Sequence, residues 1–233
     1  MDVKLRTLPT QVAGVLARRF ASNGCAGAQV SSEQEICAEF AVSRAVAREA
    51  LKILRALDMV DIAQGRRVTL RPVTEWDYLS PLLFEWLPPD QVRQLLRELH
   101  EARLIFEPEI AAQAARKIGP EDLGRLHELL EAMAANEHDA DAYLELDLEF
   151  HLTICRATRN RILGRFIHSA RGWLSASRRI TNRAPDALTH ASKRHSMIYE
   201  ALAAHDPLGA ETAMREHLTR TTVYVMAEQT EPA

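Results

Sequence analysis

Asp147 and His151 stand four residues apart, which on a helix places both side chains on one face, within reach of a single ion. Two further histidines lie in later segments among apolar neighbours. His195 is near Met197, Ile198 and Leu202, and His217 is near Met214 and Leu218. Three imidazoles and a carboxylate suit a divalent transition metal such as Zn, Ni or Mn, and leave coordination positions open for a ligand. The residues alone leave a plainer alternative standing, since any one such histidine is more often a satisfied core or surface group. A second constellation carries charge rather than ligand atoms. Arg44, Arg48, Lys52 and Arg55 fall within a sector of roughly 80° on a helical wheel. Val46, Ala50, Ile53, Leu54 and Leu57 lie opposite, flanked by Ala47 and Leu51. One face of that stretch is built for burial, and the other meets either nucleic-acid phosphate or plain solvent.

Capping and periodicity indicate the elements that must carry these groups. Ser43 is a good N-cap for the basic stretch, whose hydroxyl can take one orphan N–H of the first turn. Upstream, Glu33 to Phe40 reads as a short amphipathic helix capped by Ser31 or Ser32, and Ala41-Val42 is a link of helix-turn-helix length. Leu5 to Phe20 gives a helix to pack beneath this pair. Downstream, the alternating runs Met59–Ala63 and Arg67–Leu70 flank Gln64-Gly65-Arg66 and predict a β-hairpin turning at the glycine. Helix, helix, basic helix, hairpin is a winged helix-turn-helix, expected over residues 1–71.

Pro72 stops the wing strand, so residues 72–89 read as a linker with a short aromatic segment (Trp76, Tyr78, Phe84, Trp86) ended by Pro88-Pro89. Core packing is the expected role of those rings. Residues 90–233 show only helical periodicity. Helices are expected at 91–118 with a kink at Pro108, then at 120–136, 141–157, 160–180, 187–205 and 207–228. The expected fold class is mainly α: an N-terminal winged helix-turn-helix followed by an all-α bundle.

Charge divides along the same line. The 233 residues carry a net charge of −3, which by itself argues against nucleic acid. Residues 1–71 hold 11 Lys/Arg against 7 Asp/Glu, a net of +4, and the remainder holds 18 against 25, a net of −7. A basic head on an acidic body fits a DNA-binding module carried by a domain that stays off the DNA. All nine histidines lie beyond residue 71. Cys25, Cys37 and Cys155 show no paired pattern, so a reducing compartment is expected. No apolar run approaches about 18 residues and no signal pattern opens the chain, so the expected location is cytoplasmic, with no membrane partner.

The head resembles the GntR family of bacterial transcription regulators. The resemblance rests on Ser32-Glu33-Gln34-Glu35, on Val42-Ser43-Arg44 with Arg48-Glu49-Ala50-Leu51 and Leu54, and on Gln64-Gly65-Arg66. Gln34 stands where members often carry a DNA-contacting arginine, and Val30-Ser31 replaces the usual Leu-Pro. The helical half resembles the FCD effector domain of one GntR subgroup. It carries Asp147-Leu148-Glu149-Phe150-His151, Arg194-His195-Ser196-Met197-Ile198, Met214-Arg215-Glu216-His217-Leu218 and, in the first long helix, Glu101 to Glu107. Arg194 replaces an acidic residue of that pattern. The resemblance implies DNA contacts from Gln34, Ser43, Arg44, Arg48, Lys52, Gln64, Gly65 and Arg66. It also implies that Asp147, His151, His195 and His217 ligate a divalent metal, Zn first. Arg103 is the expected anion partner, because a guanidinium pairs bidentately with a carboxylate.

Together these readings give the expected function: a homodimeric repressor that reads a pseudo-palindromic operator and answers to a small carboxylate. Trp76, Leu79, Leu83 and Trp86 are similar to a stretch of FCD regulators of sugar-acid catabolism. An aldonate or related hydroxy acid is therefore the first choice of effector, with lactate or a dicarboxylate second. Two alternatives remain: a regulator for which the metal itself is the signal, and a His₃Asp metalloenzyme activating water. The enzyme reading lacks an obvious general base beside the site.

Overall fold

The computed structural model describes residues 7–62, 68–169, 171–175 and 187–227. The chain divides into two compact units, Met1–Val92 and Arg93–Ala233. In the first unit, α1 (Leu8–Asn23) starts later than the apolar pattern suggested, because Pro9 favours the first turn with its fixed φ. It runs past Phe20 to Asn23, where the Gly24 N–H closes onto the Phe20 carbonyl at 2.8 Å. Helix α2 (Glu33–Phe40) is set by a capping box. Ser32 Oγ accepts the Glu35 N–H at 3.2 Å, and Glu35 Oε2 accepts the Ser32 N–H at 2.7 Å. The turn out of α2 places Ala41 at φ 51°, a left-handed conformation that costs a non-glycine residue about 1–2 kcal/mol. Helix α3 (Arg44–Ala56) follows at once, with Ser43 Oγ accepting the Val46 N–H at 3.4 Å. It buries Ala47, Ala50, Leu51 and Leu54 against α1 and α2.

The wing is shorter than the alternating runs suggested. Strands β1 (Val60–Asp61) and β2 (Thr69–Leu70) pair antiparallel, Val60 with Leu70 and Asp61 with Thr69. A third segment, residues 28–30, joins them. Gln29 bridges to Thr69, the Val30 N–H donates to the Val68 carbonyl and the Leu70 N–H to that of Ala28. Gln64, Gly65 and Arg66 lie outside the described residues. A 3-10 turn at Val73–Glu75 leads to α4 (Pro81–Trp86), and Trp76, Leu83 and Trp86 are buried in this unit. Gly14 on α1 makes room for Trp86: a Cβ there would lie 2.8 Å from the indole Nε1.

The second unit contains most of α5 (Pro89–Ala115), which continues through Pro108, and then α6 (Pro120–Ala135), α7 (Ala140–Ala157) and α8 (Arg161–Ser169). Residues 171–175 are helical, and the rest of the helix expected over 160–180 beyond Ser169 lies outside the described residues. Helices α9 (Ala187–Ala203) and α10 (Pro207–Ala227) complete the bundle. Helix α6 packs on α7 and α9, α9 on α10, and α7 on α8. Leu126, Leu129, Met133, Tyr143, Leu144, Phe150, Ile198, Leu202 and Leu218 are buried in its core. Each large apolar side chain so buried contributes roughly 1.5–3 kcal/mol. Against that background the buried polar groups stand out: His100, Arg103, Glu107, Asp147, His151, His195 and His217. Burying them without partners would cost more than most of those apolar groups return.

Candidate metal centre and DNA-reading helix

Three helices supply the cluster. Asp147 and His151 occupy successive turns of α7, His195 comes from α9 and His217 from α10, and all four are buried. One ligand atom from each lies within 4.8 Å of the others. Donors on opposite sides of an ion bound at about 2.1 Å sit about 4.2 Å apart, so small side-chain adjustments bring all four onto one centre. Asp147 Oδ1 is the hub, 2.9 Å from His195 Nε2 and 3.7 Å from His151 Nε2. The imidazole rings lie close and tilted, with centroids 4.4 Å apart for His195 and His217 and 5.3 Å for His151 and His217. Phe150 closes one side, its ring 4.9 Å from that of His195. Three nitrogens and one oxygen match the donor preference of Zn²⁺, and the residues fit such an ion.

A second ring of polar groups surrounds these four, and sequence reading assigned it no role. Tyr143 Oη lies 3.3 Å from His195 Nδ1 and 3.2 Å from Ser192 Oγ. Burial pushes its phenol up to about 12, so it remains a neutral hydroxyl at any ordinary pH. Glu107 on α5 accepts a hydrogen bond from Arg103 Nε at 2.6 Å, and its other oxygen lies 2.9 Å from His151 Nδ1. Arg103, expected to meet an anion directly, thus reaches the cluster through Glu107. His100, one turn earlier on α5, is buried and held down to about 4, by burial first and then by the Arg103 charge, with Glu107 opposing. Cys155 continues the α7 row one turn past His151, its thiol pushed up to about 11 by burial. A signal for Tyr143 was present: Tyr143, Asp147, His151 and Cys155 recur every fourth residue. The cavity bordered by Glu107, His151, Cys155 and Met214 amounts to about 10 Å³, room for about one water.

The head holds a different arrangement. Arg44, Arg48 and Lys52 are exposed along α3, and Gln34 is exposed on the first turn of α2. Arg48 lies against Glu33, Nε to Oε1 at 3.1 Å and Nη2 to Oε2 at 3.2 Å, which draws the Glu33 carboxyl below its usual range. Lys52 pairs with Glu49 at 2.7 Å. Ser43 acts structurally as the α3 cap. Among the described residues, no helix is long and apolar enough to cross a membrane.

A basic helix beside a small two-stranded sheet, joined to a separate helical bundle, is the arrangement of a DNA-binding regulator. The chain belongs to the GntR family of bacterial transcription regulators, in the subgroup with an FCD domain. The model for bacterial regulatory proteins of the gntR family matches residues 23–70, and the FCD domain model matches residues 98–220. The HTH-type transcriptional regulator LutR of Bacillus subtilis is 31% identical over 199 residues, covering 83% of this chain and 89% of that protein. The galactonate operon transcriptional repressor of Escherichia coli is 27% identical over 198 residues, covering 84% and 86%. The Glc operon transcriptional activator of the same organism is 29% identical over 203 residues, covering 82% and 78%. Among solved structures, Lar of Listeria monocytogenes shares the fold with a TM-score of 0.65 at 20% identity, covering 98% of this chain and all of that one. These relatives are transcription regulators, not enzymes. Regulators of this family bind operator DNA and small-molecule effectors, typically as dimers.

Proposed function

We propose that this protein is a homodimeric, metal-dependent repressor of an operon for sugar-acid catabolism, released or retained on its operator by an aldonate or a related hydroxy acid. The observation that carries the reading is the buried Asp147, His151, His195 and His217 group in a chain that also bears a basic recognition helix. In this reading residues 1–71 form the DNA-binding domain, 72–89 connect it, and 90–233 form the effector domain. Arg44, Arg48 and Lys52 meet the major groove, with Gln34, Ser43 and the wing residues Gln64, Gly65 and Arg66 on the flanking backbone. A single winged helix reads few bases, so two copies on a pseudo-palindromic site supply the specificity.

Asp147, His151, His195 and His217 hold the divalent ion, Zn²⁺ in first place and Ni²⁺ or Mn²⁺ after it. When bound, such an ion supplies open coordination positions to a carboxylate or α-hydroxy acid. In this reading Arg103, whose Nε donates to Glu107, offers its Nη groups to the acid's carboxylate. The galactonate operon of the Escherichia coli relative supports an aldonate over lactate or a dicarboxylate. An acid that binds two states of the effector domain with different affinity shifts the balance between them, which is what allostery requires.

The test is an operator-binding titration of purified protein against a panel of aldonates, lactate and dicarboxylates, each with and without a chelator. The expected result is that one aldonate changes operator affinity at least tenfold and that the chelator abolishes the change. A response to metal alone, with no acid active, favours a metal-sensing regulator instead. His195→Ala with full metal content and an unchanged acid response overturns the site.

A further inference from the structure

We infer that Glu107 and Tyr143 are positioning residues of the metal centre: Glu107 fixes His151 and Tyr143 fixes His195, each at the ring nitrogen turned away from the ion. The inference rests on the proposed Asp147, His151, His195 and His217 site. Its basis is which nitrogen faces which neighbour. In both rings Nε2 is the atom nearer Asp147 Oδ1, at 3.7 Å for His151 and 2.9 Å for His195. The opposite atom, Nδ1, faces an outer partner in both: Tyr143 Oη at hydrogen-bond distance, 3.3 Å, and Glu107 Oε2 at 2.9 Å, an ion-pair contact out of line for a hydrogen bond until the ring turns slightly. An imidazole has one proton to place when neutral. An acceptor beside Nδ1 holds that proton there and leaves the Nε2 lone pair for a cation.

The two outer groups act with different strength. Glu107 brings a formal charge, which makes the His151 ring a better donor to a cation and holds its orientation. Arg103 Nε anchors that carboxylate from the other side at 2.6 Å, with both side chains almost wholly buried. The row Arg103, Glu107, His151 therefore joins α5 to α7 through the centre. Tyr143 brings only a dipole. With the His195 proton on Nδ1, its hydroxyl accepts from that N–H and is left to donate to Ser192 Oγ, which joins α7 to α9 in the same manner. Neither residue lies within the ligand group itself, and both sit where removal of their polar atoms leaves all four ligands in place.

The test uses full-length Glu107→Gln and Tyr143→Phe beside the wild type. Zn²⁺ affinity is measured by chelator competition, and the Co²⁺-substituted proteins are compared by their d–d absorption. Both variants should still bind one metal per chain. Affinity should fall about 10- to 100-fold for Glu107→Gln, and less for Tyr143→Phe, in keeping with the usual effect of such outer partners. The cobalt bands should shift, while circular dichroism stays that of the wild type. Should Glu107→Gln fail to fold with Arg103 left buried, Tyr143→Phe carries the test on the other ring. Wild-type affinity and an unmoved cobalt spectrum in the folded variants would overturn the inference while leaving the metal site intact. Complete loss of metal stoichiometry in Glu107→Gln makes Glu107 a ligand and overturns it too. A wild type that binds no metal at all overturns the proposed site itself, a result distinct from either.

Discussion

Two arginine–glutamate pairs in this chain have the same chemistry and opposite meaning. Arg48 and Glu33 in the head meet at 3.1 Å with side chains 59% and 38% exposed. Arg103 and Glu107 in the helical domain meet at 2.6 Å with side chains 3% and 6% exposed. Water and salt screen the first pair, which is worth roughly 0–1 kcal/mol, and either partner can leave it at little cost. Desolvation makes the second pair unbreakable in practice, because a lone charge left behind in the core costs about 3–5 kcal/mol. A residue that exchanges one partner for another, as Arg48 would on the proposed DNA-reading face, belongs in the first setting. A residue that must hold another group still, as Glu107 holds His151, belongs in the second.

The comparison breaks most visibly in stability. Arg103→Ala should lower unfolding free energy by about 3–5 kcal/mol in urea, since Glu107 is then buried without its partner. Arg48→Ala should cost less than about 1 kcal/mol in the same measurement. Its effect appears elsewhere, as a loss of roughly 1–3 kcal/mol of specific operator affinity at physiological salt. Equal destabilisation by the two variants would remove the distinction between the pairs. An Arg48→Ala protein that binds operator undiminished would remove Arg48 from the DNA-reading face.

A smaller effect concerns pH and sharpens the buried side of the comparison. His100 sits beside Arg103 and Glu107 and titrates at about 4, below the ordinary histidine value of about 6.5. Its folded pKa is lowered, so between those two values the unfolded chain binds the proton that the folded chain refuses. Stability therefore falls as pH drops from about 6.5 towards 4, and the neutral imidazole contributes fully above that window. Urea titrations of wild type and His100→Asn at pH 7 and pH 5 measure this. The wild type should lose more stability between the two than the variant does, and equal losses would contradict the assignment.

How much of this was legible in the sequence differs between the same two regions. In the head, information is local. Ser43 and the spacing of Ala47, Ala50, Leu51 and Leu54 mark α3, and the Ser32/Glu35 box marks α2 at Glu33–Phe40. What escaped was the pairing of residues 28–30 with the wing, since a bridge across forty residues leaves no local trace. In the helical domain the Asp147/His151 spacing was visible, but uniting it with His195 and His217 needed the family resemblance, because helix order does not say which faces meet. Glu107 was visible only as part of a matched box. Its contact with His151 depends on how α5 lies against α7, which periodicity does not encode. Tyr143 had a signal, the four-residue row on α7, that reads equally as one more core aromatic.

The smallest expected effect tests the exposed pair from its acidic side. Glu33→Gln keeps the side-chain shape and removes the charge that holds Arg48. Glu33 also begins α2, where a carboxylate interacts favourably with the helix N-terminus by about 0.3–1 kcal/mol. Loss of that interaction and of a screened ion pair should lower stability by no more than about 1 kcal/mol. On DNA the same change works in the other direction. It removes a negative charge close to where phosphates approach and frees Arg48 from a competitor worth roughly 0.2–1 kcal/mol, so operator affinity should rise about 1.5- to 5-fold. The gain should shrink as salt is raised, because screening already weakens the pair in the free protein. Fluorescence anisotropy with an operator duplex across a salt series measures both trends. An affinity that falls instead would mean that Glu33 holds Arg48 in the posture that DNA requires, and that the head, like the buried site, depends on a fixed carboxylate.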